Sequence, residues 1–168
     1  VYLHSLRRAC LLSSALDSGA WGTRMSNQRH RARVLLVDDE PSLRAVYPQV
    51  LGNDYDVSVA ATGREALAVL TQHSDFDVIL CDLTMPDMDG PALYDALSRK
   101  APQLLPRVLF CTGGLISTRL RDFAARIPNA FLDKPIALDA LCAAIERVAR
   151  ADRSLWASEV VSSPVSVP

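Results

Sequence analysis

Between Val78 and Gly90 a short apolar run, Val78-Ile79-Leu80-Cys81, stops at the carboxylate of Asp82, and the turn formers Met85-Pro86-Asp87-Met88-Asp89-Gly90 follow at once. The run is too short for a helix and has no polar alternation, which is the pattern of a strand buried on both faces in the middle of a parallel sheet. Asp82 then sits at the carboxyl end of that strand, the edge where open α/β sheets bind ligands. Comparable runs recur. Val34-Leu35-Leu36-Val37 ends at Asp38-Asp39, Val108-Leu109-Phe110-Cys111 ends at Thr112, and Ala130-Phe131-Leu132 is followed by Lys134.

Strand-like runs begin near Val34, Val57, Val78, Val108 and Ala130, and segments with helical spacing lie between them. Ala66, Leu67 and Leu70 share one helical face, Leu120, Phe123, Ala124 and Ile127 form a second stripe, and Leu138, Leu141, Cys142, Ile145, Val148 and Ala149 a third. Pro41 and Pro91 suit first helical turns, where a missing N–H costs nothing. Pro48 falls where the first helix should still be running, so the sequence predicts that this helix kinks or ends early. Five strands alternating with five helices give an α/β domain: a doubly wound five-stranded parallel sheet in the flavodoxin-like order 2-1-3-4-5, with right-handed crossovers.

The expected division is a basic N-terminal extension without regular structure over 1–32, a folded domain over 33–150 and a loose tail over 151–168 on which Leu155 and Trp156 could dock. The chain begins with Val1, and Met25 opens a compact lead-in, so residues 1–24 read as an upstream extension or the trimmed end of something longer. Residues 1–33 carry six Arg against one Asp, whereas 34–150 carry eleven basic and sixteen acidic residues. The mildly acidic folded part argues against a nucleic-acid footprint there, and the arginines Arg7, Arg8, Arg24, Arg29, Arg31 and Arg33 read as a solvated tail. Cys10, Cys81, Cys111 and Cys142 lack metal-like spacing, which predicts a disulfide-free cytoplasmic protein. No apolar run approaches a membrane span, the apolar stretch near Leu11 is short for a secretory signal, and His4, His30 and His73 read as surface residues.

With strand order 2-1-3-4-5, the strands ending in Asp38/Asp39, Asp82, Thr112 and Lys134 are neighbours. Taken singly, each ending has a bland explanation: Asp38-Asp39 could cap a helix, Thr112 could be a loop hydroxyl and Lys134 a solvated lysine. Taken together, three carboxylates, a hydroxyl and an ammonium converge on one edge. Clustered carboxylates repel, and a hard divalent cation such as Mg²⁺ resolves the repulsion. Lys134 and Thr112 could meet phosphoryl oxygens, which describes phosphoryl transfer onto a carboxylate.

Val37-Asp38-Asp39-Glu40, Asp82 with Met85-Pro86 and Met88-Asp89-Gly90, Thr112, and Lys134-Pro135 resemble the receiver domain of bacterial two-component response regulators, over about residues 33–150. The loop from Thr112 through Pro128-Asn129 is closest in flavour to receivers of hybrid histidine kinases. The resemblance implies that Asp82 is phosphorylated by a histidine kinase or histidine phosphotransferase. It implies that Asp39, Asp82 and the Thr84 carbonyl ligate Mg²⁺, with Asp38 acting through water, and that Thr112 and Lys134 bind the phosphoryl oxygens. It also implies a cis Lys134-Pro135 bond and a switch pair of Thr112 and Phe131, although Phe131 read by itself is equally a core residue. Thr84 and Gly114 occupy positions that influence phosphate lifetime, and the glycines at 113 and 114 predict a mobile segment through Arg119.

The implied role is a phospho-acceptor signalling domain rather than a turnover enzyme, in a stand-alone regulator or a piece of a hybrid kinase. Its downstream protein target would be met through the face of helix 4, strand 5 and helix 5, around Leu115 to Ile127 and Phe131. No DNA-binding domain fits in the tail after Arg150, and a homodimer is left open. Two other readings fit less well. A Mg²⁺-dependent phosphohydrolase would carry Asp-x-Asp at the first strand, where this chain has adjacent Asp38-Asp39, and a flavin-binding protein would need a Ser/Thr/Gly-rich loop there.

Overall fold

The computed structural model describes residues 31–114 and 117–151. Expectations that concern residues 1–30, Leu115 and the tail with Leu155 and Trp156 lie outside them. The elements alternate: β1 (Arg33–Val37), α1 (Pro41–Leu51), β2 (Asp56–Ala60), α2 (Gly63–Gln72), β3 (Val78–Asp82), α3 (Gly90–Lys100), β4 (Val108–Thr112), α4 (Thr118–Arg126), β5 (Phe131–Asp133) and α5 (Leu138–Arg150). The strands form one sheet of order β2-β1-β3-β4-β5, parallel throughout.

Side chains that alternate along each strand feed two separate cores. Leu35, Val37, Ile79, Cys81 and Phe110 pack beneath α2, α3 and α4, which contribute Ala66, Leu70, Leu93, Leu97, Leu120 and Phe123. Val34, Leu36, Val78, Leu80, Leu109 and Cys111 pack on the other face beneath α1 and α5, through Leu51, Leu141, Cys142 and Ile145. Both faces are therefore dry, which is why the central strands β3 and β4 are buried at every position. The register aligns the ends that matter: Val37 pairs with Cys81, Asp82 with Cys111, and Thr112 with Asp133.

Polar side chains fix where the helices start. Thr62 accepts from Glu65 N at 3.1 Å while the Glu65 carboxylate accepts from Ala61 N at 2.7 Å, a near capping box at α2. Asp89 and Ser117 cap α3 and α4 by accepting from Ala92 N and Leu120 N. Pro41 and Pro91 occupy the first turns as expected.

Three features depart from the sequence reading. Helix α1 does not stop at Pro48 but runs through it to Leu51, with Gly52 N donating to the Pro48 carbonyl at 2.9 Å. The proline costs little there because it lies in the last turn: it forfeits one bond, and only Gln49, Val50 and Leu51 follow it in the helix. A 3₁₀ segment over Pro102–Arg107 intervenes before β4. Buried Asn129 holds it by donating to the carbonyls of Leu105 and Val108 at 2.8 and 2.7 Å. Strand β5 is only three residues long and half-exposed, as an edge strand can be, and it begins at Phe131 rather than Ala130.

Candidate functional site

At the carboxyl edge of β1, β3 and β5 the ends converge on Lys134. Its Nζ donates to Asp38 Oδ2 and to Asp82 Oδ2, each at 2.8 Å. Asp38 and Asp82 are buried, whereas Asp39 is exposed at the mouth. Asp38, Asp39 and Asp82 can each offer one carboxylate oxygen so that all three lie within 4.8 Å of one another. Burial by itself would lower the Lys134 pKa, but its hydrogen bonds to Asp38 and Asp82, and their charges, outweigh it and hold the ammonium above the ordinary lysine value. One ammonium against three carboxylates leaves the pocket short of positive charge. All-oxygen donors with Asp39 exposed at the mouth suit a hard divalent cation such as Mg²⁺.

The loops keep these groups in place through main-chain bonds. Asp38 uses every polar atom it has. Its N donates to Ala60 O at 3.2 Å, Oδ1 accepts from Glu40 N at 2.9 Å, Oδ2 accepts from Lys134, and its carbonyl accepts from Arg44 Nη1 at 2.7 Å. Asp82 Oδ1 accepts from Thr84 N at 3.2 Å, which brings Thr84 to the mouth of the site. Buried Thr112 receives Lys134 N on its carbonyl at 2.7 Å, and its Oγ1 accepts from Gly114 N at 3.0 Å. The Lys134-Pro135 peptide is cis. The neighbouring thiol of Cys111 is pushed up to about 12, burial being the main cause, so it stays neutral and offers no competing nucleophile.

Asp38, Asp39, Asp82, Thr84 and Lys134 are thus gathered at one edge, and Thr112 is tied to Lys134 through the β4–β5 pairing. Phe131 is not in the polar cluster. It stands half-buried beside it, stacked on Phe110 with ring centroids 5.2 Å apart, and Phe110 in turn meets Phe123 edge-on at 5.4 Å. Leu115, named with the expected output face, lies outside the described residues; Gly114 has φ 125°, a backbone conformation that only glycine adopts without strain.

The sequence reading did not single out Arg44 or Gly63. Arg44 lies in the first turn of α1, where nothing in the sequence separates it from a solvated helix residue. Gly63 opens α2 against the loop that follows Asp82, and a Cβ there would lie 2.4 Å from the Met88 carbonyl oxygen and 2.8 Å from its Cγ. Gly63→Ala must therefore displace the Met88 loop, and a stability loss of about 1–3 kcal/mol is expected in urea denaturation.

Residues 34–146 match the family model for the response regulator receiver domain. Among curated relatives, the chain is 32% identical over 119 residues to the sensor kinase CckA of Brucella abortus, covering 70% of this chain and 12% of that protein. It is 31% identical over 136 residues to the transcriptional regulatory protein GlrR of Escherichia coli, covering 78% of this chain and 30% of that protein. The chain therefore spans well under half the length of either relative. Among solved structures, it resembles the Vibrio cholerae chemotaxis protein CheY4 with a TM-score of 0.60 and 32% identity, over 70% of this chain and 98% of that one. The receiver domain from the hybrid histidine kinase CckA superposes with a TM-score of 0.57 at 28% identity, over 71% and 100% of the two chains. With the parallel 2-1-3-4-5 sheet, the convergent acidic edge and the matched family model, the chain belongs to the response regulator receiver domain family of two-component signalling.

Proposed function

We propose that this domain, over residues 33–150, is a cytoplasmic phospho-acceptor: Mg²⁺-dependent transfer of a phosphoryl group from a phosphohistidine to Asp82 switches a protein-interaction face. The observation that carries the reading is the ammonium of Lys134 shared between the buried carboxylates of Asp38 and Asp82, with Asp39 close enough to share a cation. The donor would be a histidine kinase or histidine phosphotransferase. The chain would serve as a stand-alone regulator or as part of a hybrid kinase, and relatives of both kinds support either setting.

The chemistry follows from the donors. An ionised Asp82 oxygen attacks phosphorus in line, the P–N bond to the donor imidazole breaks as the P–O bond forms, and the imidazole keeps the departing electron pair and takes up a proton. Asp39, Asp82 and the Thr84 carbonyl would hold Mg²⁺, with Asp38 acting through water, and the ion supplies charge neutralisation for the moving group. Lys134 already lies 2.8 Å from the Asp82 carboxylate and would turn to a phosphoryl oxygen. Thr112 would exchange its bond from Gly114 N for donation to another phosphoryl oxygen. That movement, coupled to Phe131, would carry the signal to α4, β5 and α5, where a downstream protein reads it.

With acetyl phosphate as donor, the full chain is expected to take up one phosphoryl group per molecule in the presence of Mg²⁺ and none after chelation. Labelling that proceeds unchanged in excess chelator would overturn the reading, as would sustained multiple turnover of a phosphomonoester.

A further inference from the structure

One contact joins the loop after Asp82 to helix α4, and the phosphoryl chemistry does not use it. Arg119 Nη1 lies 2.6 Å from Asp89 Oδ2, and Nη2 lies 3.4 Å from Oδ1, so the guanidinium meets the carboxylate almost two-pronged. Asp89 cannot follow Arg119 if α4 moves, because Oδ1 also accepts from Ala92 N at 2.9 Å and caps α3. The Asp89 side chain is 21% exposed, so the pair is partly shielded on its acidic side. Burial works against ionisation of Asp89, but the bond from Arg119 prevails and holds its carboxyl below the ordinary value.

On the other side, Arg119 lies in the first turn of α4, reached from Thr112 through a segment that contains Gly113 and Gly114. A Cβ at Gly113 would meet nothing within 4 Å, so little packs against the chain there. Helix α4 is anchored to the core by Leu120 and Phe123, and its exposed face carries Arg121, Asp122, Ala125 and Arg126. The pair between Asp89 and Arg119 therefore ties the start of α4 to the capped start of α3.

We infer that Asp89 and Arg119 form a charge latch that holds α4 in its unphosphorylated position and thereby sets how readily Asp82 is occupied. The regulatory half of this inference rests on the proposed phosphoryl transfer to Asp82. A contact present only in the resting arrangement must be lost when the other arrangement is populated, and its free energy is subtracted from the phosphorylation equilibrium. Partly exposed ion pairs shift such equilibria modestly, here by roughly 1.5- to 5-fold.

Two substitutions separate the latch from the cap. Asp89→Asn removes the charge but keeps a side-chain oxygen able to cap α3, and Arg119→Gln removes the other partner. In the full chain without phosphodonor, both variants should speed amide hydrogen exchange across 118–126 by roughly 1.5- to 5-fold, with 90–100 unchanged. Arg119→Lys should recover part of the protection, and the double variant should exceed neither single one by much. With acetyl phosphate and Mg²⁺, the donor concentration for half occupancy should fall by the same factor. Unchanged α4 exchange overturns the latch, and a looser α4 with unchanged or weaker labelling overturns its regulatory role. If the parent itself takes no label on Asp82, the phosphoryl reading and the regulatory half fail together, while the exchange data still decide whether the latch exists.

Discussion

Lys134→Met is expected to slow labelling of Asp82 by roughly 10²-fold, the usual scale for removing one preorganised charge donor from a reacting oxyanion. The same substitution should leave Mg²⁺ binding at least as tight as in the parent. In the resting site the ammonium sits 2.8 Å from Asp38 and 2.8 Å from Asp82 and competes with a cation for both. Opposite effects on metal affinity and on rate are hard to obtain from misfolding, so a Mg²⁺ titration followed by amide shifts at Asp38–Glu40, run beside the labelling assay, separates the two. Equal rates in variant and parent would remove Lys134 from the chemistry. Stability adds a pH signature. The folded pKa of Lys134 is raised, so its contribution is complete below the ordinary lysine pKa and is lost as pH rises through the folded value. The difference in denaturation midpoint between parent and Lys134→Met should therefore stay constant up to the ordinary lysine pKa of about 10.4 and begin to shrink only above it.

Phe110→Ala should be the costliest substitution in the core, at about 3–5 kcal/mol. Phe110 is fully buried in β4, stacks on Phe131, meets Phe123 and Tyr94, and lies 3.1 Å from where a Cβ would sit on Gly90. Losing it opens a cavity beside Gly90, where the loop that follows Asp82 enters α3, and removes the platform of Phe131. Against a typical domain stability of about 5–15 kcal/mol the loss is large, and urea denaturation measures it. A loss below about 1 kcal/mol would mean that the aromatic cluster relaxes to fill the space and does not link α4 rigidly to β5.

The contrast between these two residues bears on what a sequence carries. Short apolar runs that end in polar residues specify both the buried parallel strands and the edge on which Asp38, Asp39, Asp82, Thr112 and Lys134 meet, because strand direction and side-chain alternation leave little freedom once the topology is set. Phe110 reads as core for the same reason, but its stacking with Phe131 depends on the register Phe110↔Phe131 across two parallel strands, which no local pattern encodes. Arg44, Gly63 and the Asp89–Arg119 pair escape for a related reason. Each acts through a partner 6, 25 or 30 residues away, and each alone looks like a helix arginine, a helix-opening glycine or a cap. Pro48 differs: local chemistry forecasts a kink or an early end, and the helix does not end there because it had only one turn left to run. The 3₁₀ segment over Pro102–Arg107 was illegible because its anchor, Asn129, comes from beyond β4.

The measurement closest to the central claim is the location of the phosphoryl group. The full chain would be incubated with Mg²⁺ and a phosphohistidine donor protein, or with acetyl phosphate, and the acyl phosphate then trapped by borohydride reduction and mapped by mass spectrometry. The expected result is a single modified residue, Asp82, with no trapped product in Asp82→Asn although that variant folds. Modification at Asp38 or Asp39, or equal labelling of Asp82→Asn, would contradict the assignment of Asp82 as the acceptor.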